Sequence, residues 1–365
     1  MLENSDGKIG TRECVALIII MLFEKITNST SSVFFKAGQN AGWIIPIFSA
    51  IALIIPILSI LCLLKRYKNK GLLEIVYYLT GKYIGFLISY ILLIMNIIII
   101  SSNLADDCAV INTLFFPNTD ICYLIITLIG FCCFMAILGL KALARASSML
   151  MPYIIGVFIV LIVFAMPLIT TEFLFPIAGK GVKHIIMGGI RNSFIYQVII
   201  ILSVCYPMFK SYKNFKTASL TALTVSAIIL SISFAFFQMA FDYPAITIIS
   251  YPLHTITRML RLTRFITNLQ AVFLPWTVVV IAIYYSTALY LSSAIFTHTL
   301  KLGKVEPLIL PVAALITIIS IIPESPRDFS RFFNNRVVPI ITIISIVVPL
   351  LLLVISQWKG DYKKC

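Results

Sequence analysis

Apolar runs divided by short polar breaks fill most of the chain. Measured against the ~20 apolar residues a membrane-crossing helix needs, they give ten segments, at about 12–35, 43–64, 83–104, 121–138, 147–169, 188–208, 218–241, 266–297, 307–322 and 337–357. The eighth exceeds one straight crossing and is expected to tilt or extend into water. The pattern predicts an all-α integral membrane protein of about ten transmembrane helices, one polytopic domain over 1–365 with no room for a second.

Two of the ten segments are weak. In the first, the apolar run Val15 to Phe23 meets Glu24 and Lys25, and Thr27, Asn28, Ser29, Thr30, Ser31 and Ser32 follow with no apolar residue among them. From Thr11 to Phe23 a helix would cover about 20 Å at ~1.5 Å per residue, short of a hydrocarbon core of ~30 Å. Either the helix ends early and the polar run is a loop, or it is interrupted at membrane depth and resumes through Ser32–Phe35. Length favours the interruption, and non-helical backbone at that depth must face protein or a water-filled cavity. The sixth segment, KHIIMGGIRNSFIYQVIIILSVCYP, is short and carries Gly188-Gly189, then Arg191, Asn192, Ser193, Tyr196 and Gln197 before the run Val198–Leu202.

Ten spans divide as five plus five, so segments 1 and 6 correspond. Interrupted helices at matching places in two inverted repeats, here about 12–169 and 183–357, are the sequence mark of a midplane binding site. A broken helix exposes backbone N–H groups that attract a carboxylate and carbonyls that attract a cation. A small zwitterion such as an α-amino acid suits that geometry.

Composition agrees with the hydropathy pattern. The 365 residues are 60% hydrophobic and 12% charged, with a mean hydropathy of +1.04, whereas soluble domains carry ~25% charged residues. The first ten residues are polar, so no cleavable signal peptide is expected. The net charge of +14 follows topology rather than nucleic acid, since no aromatic-interleaved basic motif accompanies it. With the N-terminus inside, seventeen of the 28 Lys and Arg fall in inner segments, ten in outer ones, and Lys25 in the membrane. That bias predicts cytoplasmic termini and contact with anionic head groups of the bilayer. The loop holding Asp106, Asp107 and Asp120 has no Lys or Arg and is placed outside. Tyr243 to Phe265, with apolar Leu253, Ile256, Met259, Leu260 and Leu262 against Arg258, Arg261 and Arg264, predicts a basic amphipathic helix at the surface or against the bundle. The eight cysteines lack zinc spacing; Cys108 and Cys122 flank one loop and would pair only in an oxidising space.

Several stretches resemble the B subunits of spore germinant receptors, permease-like members of the amino acid–polyamine–organocation superfamily. They are NAGWIIPIFSA, GLLEIVYYLTGKYIGFLISYILL, YPMFKSYKNFKTASL, YPLHTITRMLRLTRFITNLQAVFLPWTVVV with its Pro-then-Trp step, and IIPESPRD. Their order and spacing cover about 330 residues. The resemblance implies a LeuT-like 5+5 inverted repeat with broken helices 1 and 6, no cofactor, residence in the spore inner membrane, and a complex with A and C subunits. It further implies binding of a small-molecule germinant, often an amino acid, followed by ion release. The chain departs from the family in having ITNSTSS where the first span usually carries a glycine-rich break, and in lacking an acidic residue near Gln197.

Candidate ligand-binding residues follow from the two breaks. Thr27, Asn28, Ser29 and Thr30 would line the first, or only cap its half-helices. Ser193, Tyr196 and Gln197 are their counterparts in the sixth. Asn96, alone in LIMNIIII, would face the site or bond a neighbouring helix. In AIYYSTALY, Tyr284 and Thr287 would face the ligand. Adjacent Ser286 and Thr287 resemble the hydroxyls that hold the ion in sodium-coupled relatives, though small residues in helix packing explain them equally; no other metal site is expected. Glu24 and Lys25 are intramembrane charges, which are usually functional. Adjacent helical residues do not face each other, so each is expected to have its own partner. Glu24 would face a ligand ammonium, or Lys25 would replace a coupled cation.

Two functions fit, a ligand-sensing receptor subunit and an amino-acid transporter coupled to H⁺ or Na⁺. An enzyme is disfavoured, because His184, His254 and His298 are scattered and belong to no catalytic motif.

Overall fold

The computed structural model describes residues 8–260, 270–323 and 326–359. Every predicted segment is helical over its described residues. The first is split into α1 (Thr11–Thr27) and α2 (Thr30–Gly38), followed by α3 (Ile45–Arg66), α4 (Leu72–Phe115), α5 (Ile121–Ile137) and α6 (Leu140–Ala165). The sixth is split into α7 (Val182–Arg191), a 3-10 turn at Ser193–Tyr196 and α8 (Gln197–Leu202); α9 (Tyr212–Ala240) follows. Two short helices, α10 (Ala245–Ile248) and α11 (Pro252–Met259), precede α12 (Gln270–Leu300) and α13 (Glu306–Ile321). The last span joins α14 (Pro326–Phe332), a π-helical turn at Phe333–Val337 and α15 (Val338–Trp358). Six of these stretches are each long and apolar enough to cross a membrane, and Val182–Arg191 with Ser193–Met208 makes a further crossing bent by 44°.

Burial sorts the helices. From Cys14 to Thr27 nearly every α1 side chain is buried, and 89% of the apolar window of α12 is buried, against 22% for α6. A helix apolar all round must be buried or face lipid. Here α1 packs on α6, α9 and α12 at the centre, while Ile55, Phe134, Ile159, Leu310 and Ile343 stay exposed on outer faces, as lipid-facing residues do.

Contacts at the helix ends agree with the predicted alternation of sides. Ile9 bridges Phe209, Glu13 pairs with Arg145 at 3.7 Å, and Arg66 donates to Ser356 at 2.6 Å, joining segments assigned inside. At the opposite end Asn40 donates to the carbonyls of Phe173 and Phe175, and Gln39 to Tyr243.

Three expectations change. The third span is far longer than 83–104, because α4 begins at Leu72 and runs to Phe115, turning at Gly81 where φ is +80°. Asp106 and Asp107 are therefore helical and packed inward rather than in a loop, with Asp107 only 3% exposed. Cys108, buried in α4, and Cys122 are both unpaired. Gly188-Gly189 does not break the sixth span; it lies inside α7, where a Cβ on Gly189 would sit 2.5 Å from Phe48 Cβ and 3.0 Å from its carbonyl carbon. The pair is a close-packing seam between α7 and α3. The amphipathic segment forms α11, with Leu253 and Ile256 buried and Met259 half exposed; Arg261, Leu262 and Arg264 lie outside the described residues.

Candidate functional site

The break in the first span is narrower than its sequence suggests. α1 continues through Glu24 and Lys25 to Thr27, whose hydroxyl donates to the Glu24 carbonyl at 2.8 Å. Only Asn28 and Ser29 leave the helix. Asn28 spans the gap, its Nδ2 donating to Glu24 Oε1 at 2.6 Å and its Oδ1 accepting from Thr30 N at 2.9 Å. Ser29 caps α2, and both its N–H (3.0 Å) and its hydroxyl (2.6 Å) donate to Asp106 Oδ2. The carboxylate thus sits at the positive end of α2, where a helix dipole favours it.

Glu24 and Lys25 pair with each other, contrary to expectation. Lys25 Nζ lies 2.8 Å from Glu24 Oε2, off the line of a well-aligned hydrogen bond but well within ion-pair range. The two Cβ atoms diverge by about 100° around a helix, yet the long lysine stem folds back, because Glu24 is fully buried and no other cation reaches it among the described residues. The ammonium also lies 5.4 Å from the Tyr284 ring centre. Asp107 accepts from Tyr285 at 2.5 Å, and Asn103 donates to the Tyr284 hydroxyl at 2.7 Å. Asp106 and Asp107 are electrostatic neighbours of Lys25 beyond its ion pair with Glu24.

Two cavities meet at this cluster. The polar one, about 30 Å³, is walled by the first break (Lys25, Asn28, Ser29, Thr30), by Asn103 and Asp106 of α4, by Asn192 and Phe194 of the sixth span, and by Ser330 and Asn334 of the tenth. The more apolar one, about 40 Å³, is walled by Met21, Lys25, Asn96, Phe194, Gln197 and Tyr284. Lys25 and Phe194 form their shared wall.

Of the predicted residues, Lys25, Asn28, Ser29 and Thr30 reach the polar cavity, and Asn96, Gln197 and Tyr284 the apolar one. The others reach neither. Thr27 caps its own helix, Tyr196 donates to the Pro46 carbonyl at 3.1 Å, and Ser193 is fully buried with its hydroxyl unpartnered. Ser286 donates to the Ala282 carbonyl at 2.6 Å, and Thr287 is buried away from both cavities with its hydroxyl unpartnered. Asp106, Asn103 and Asn334 were not among the predicted residues. Asn334 lies in the π-helical turn, a feature frequent at functional sites, and Ser330 in α14 just before it.

α11 closes over the first break. Tyr251 faces Asp106 at 3.4 Å, and His254, 1% exposed, sits edge-on to Phe115 and beside the Thr27 backbone. Burial pushes the His254 imidazole down to about 4, an effect the Thr27 backbone only partly offsets. A base lowered in the folded state contributes stability that is fully present above its ordinary value of 6.5 and is lost as pH falls from 6.5 towards 4. The full swing is about 3 kcal/mol. Melting temperature is expected to fall over that interval in the native protein and to fall less in His254→Leu.

Broken helices in the first and sixth spans, meeting at a buried polar cavity, define a membrane protein of LeuT-like fold. A Na⁺-coupled sialic acid symporter, solved in a substrate-bound outward-open state, superposes with a TM-score of 0.58 at 13% identity, over 98% of this chain and 76% of the symporter. The chain belongs to the spore germination protein family, whose model matches residues 8–329. Its relatives in Bacillus subtilis (strain 168) include spore germination protein YndE, 21% identical over 98% of this chain and 99% of YndE, and spore germination protein B2, 20% identical over 54% of each.

Proposed function

We propose that this protein is the nutrient-germinant-sensing membrane subunit of a spore germination receptor, binding a small polar solute between its two broken helices and triggering germination. The cavity walled by both breaks carries the reading, since interrupted helices at a buried polar pocket mark the substrate site of this architecture. The family supports germination as the process. On this reading the chain works in the spore inner membrane with both termini cytoplasmic, alongside A and C subunits, and performs no catalysis. A transporter coupled to H⁺ or Na⁺ is the second reading, supported by the symporter-like fold.

Spores lacking the chain and complemented with Gln197→Ala are expected to need at least tenfold more nutrient to germinate than those complemented with the native gene. Their response to a nutrient-independent trigger should be unchanged. Saturable solute uptake by the purified chain in proteoliposomes, with an unaltered nutrient response in Gln197→Ala spores, would favour the transporter.

A further inference from the structure

α4 does not enter the bundle straight. It starts at Leu72 and turns at Gly81, where φ is +80°. The stretch before the turn buries Leu72, Leu73, Ile75, Val76 and Leu79 and leaves Tyr78 50% exposed, as an amphipathic helix at a membrane surface does. The Tyr78 ring collects two cations. Lys70 Nζ lies 4.3 Å from its centre, and Lys359 Nζ, just past the end of α15, lies 5.6 Å away. Lys359 also donates to the Tyr78 carbonyl at 3.1 Å. Tyr67 packs on the same ring at 5.4 Å. The Tyr67 hydroxyl is 3.0 Å from Ser356 Oγ, which accepts from the Arg66 guanidinium. Arg66 is only 7% exposed. Three cations, from the end of α3, the α3–α4 turn and the end of α15, are thus joined through two rings and one hydroxyl.

Neither lysine of this cluster forms an ion pair among the described residues. Glu74, four residues after Lys70, turns its carboxylate back to the Gly71 N–H at 3.1 Å and caps the start of α4. A ring face attracts an ammonium but leaves its charge in place. Two like charges held at one ring repel each other, so the arrangement gains from an anion. The surroundings select the kind of anion. Trp358, 85% exposed, precedes Lys359, and aromatic residues of this sort mark head-group level. One or two turns past Gly81, Ile84 and Leu87 stand exposed on α4, as Leu351 and Val354 do on α15. The two helices pack on each other, so cations at their ends adjoin apolar faces turned to lipid. A phosphate beside acyl chains has that layout, whereas a soluble anion would use only the charged half.

We propose that this end of the bundle binds one anionic phospholipid, its phosphodiester held by Lys70 and Lys359 beside Tyr78 and its chains laid against α4 and α15. Such a site differs from the general attraction of basic segments to anionic bilayers, because it depends on two particular lysines and not on net charge. The test places the full chain in phosphatidylcholine nanodiscs with rising fractions of phosphatidylglycerol and follows melting temperature, which a lipid bound only by the folded state raises. The native protein is expected to be stabilised saturably. Lys70→Gln/Lys359→Gln is expected to need at least fivefold more phosphatidylglycerol for the half-maximal shift. Both lysines lie outside the two cavities, so the variant should melt like the native protein in pure phosphatidylcholine. Lys213→Gln/Lys216→Gln removes the same charge from the exposed start of α9 and is expected to respond to phosphatidylglycerol as the native protein does. Inorganic phosphate added to phosphatidylcholine discs should shift the native protein and Lys70→Gln/Lys359→Gln equally. No saturable shift with phosphatidylglycerol overturns the proposal, as does an unchanged response in Lys70→Gln/Lys359→Gln. An equal loss in the two double variants reduces the effect to net charge and overturns it too. Stabilisation by inorganic phosphate that disappears in Lys70→Gln/Lys359→Gln assigns the cluster to a soluble anion and overturns the lipid.

Discussion

Replacing Lys25 with methionine is expected to destabilise the protein by about 3–5 kcal/mol, and adding Glu24→Gln in the same chain is expected to restore most of that loss. Glu24 is fully buried and Lys25 is 5% exposed, so bulk water cannot make up for a lost partner. Methionine nearly matches the lysine stem in volume, which makes the change mainly one of charge. It leaves the Glu24 carboxylate with Asn28 as its remaining hydrogen-bond donor and with Asp106 and Asp107 as electrostatic neighbours of the same sign. Glutamine at position 24 removes the orphaned charge and keeps an oxygen that Asn28 can donate to. The double variant therefore tests whether the pair holds the fold or serves function. Recovery of the melting temperature without recovery of nutrient-triggered germination assigns the charges to sensing. If Lys25→Met alone melts like the native protein, the two groups do not form a buried ion pair.

The general architecture was legible because bilayer physics constrains sequence strongly: each crossing needs a run of apolar residues, and ten such runs became ten helical segments. Interruption of the first was legible for the same reason, since a stretch of Ser, Thr and Asn cannot face lipid. Its extent was not. Thr27 and Ser32 both return their hydroxyls to backbone carbonyls, of Glu24 and Ser29, and so remain helical despite their polarity. The helix ends only where Asn28 can satisfy groups on both sides of the gap. Asp106 was misplaced because a carboxylate next to another reads as a solvated loop by composition. Its actual partners, Ser29 and Tyr251, lie 77 and 145 residues away, and no local pattern encodes them. Asn334 was missed similarly, because it reaches the cavity through a π-helical turn that hydropathy cannot distinguish from ordinary helix. The pairing of Glu24 with Lys25 escaped a rule about helical faces that holds for Cβ directions and fails for side chains as long as lysine.

Trp276→Ala is expected to cost about 3–5 kcal/mol and to weaken ligand binding without touching either cavity. Trp276 follows Pro275 in α12 and is fully buried. It stacks on Phe158 of α6 at 6.3 Å and 10°, and meets Phe23 of α1 edge-on at 6.4 Å. Its Nε1 donates to the Ile154 carbonyl at 3.0 Å. One ring thus ties α12 and α6 to the residue just before Glu24. Alanine removes the ring, leaves a cavity between three helices and removes the indole hydrogen bond to the Ile154 carbonyl. Phenylalanine keeps much of the stacking and loses only the donor, so Trp276→Phe is expected to cost about 1–3 kcal/mol. The two variants separate packing from positioning. If the aromatic contact fixes the end of α1, ligand affinity should follow the loss of ring volume, falling at least tenfold in Trp276→Ala and little in Trp276→Phe. Equal affinity in both, with unequal melting temperatures, would mean that Lys25 and Asn28 are held in place by the charge cluster alone.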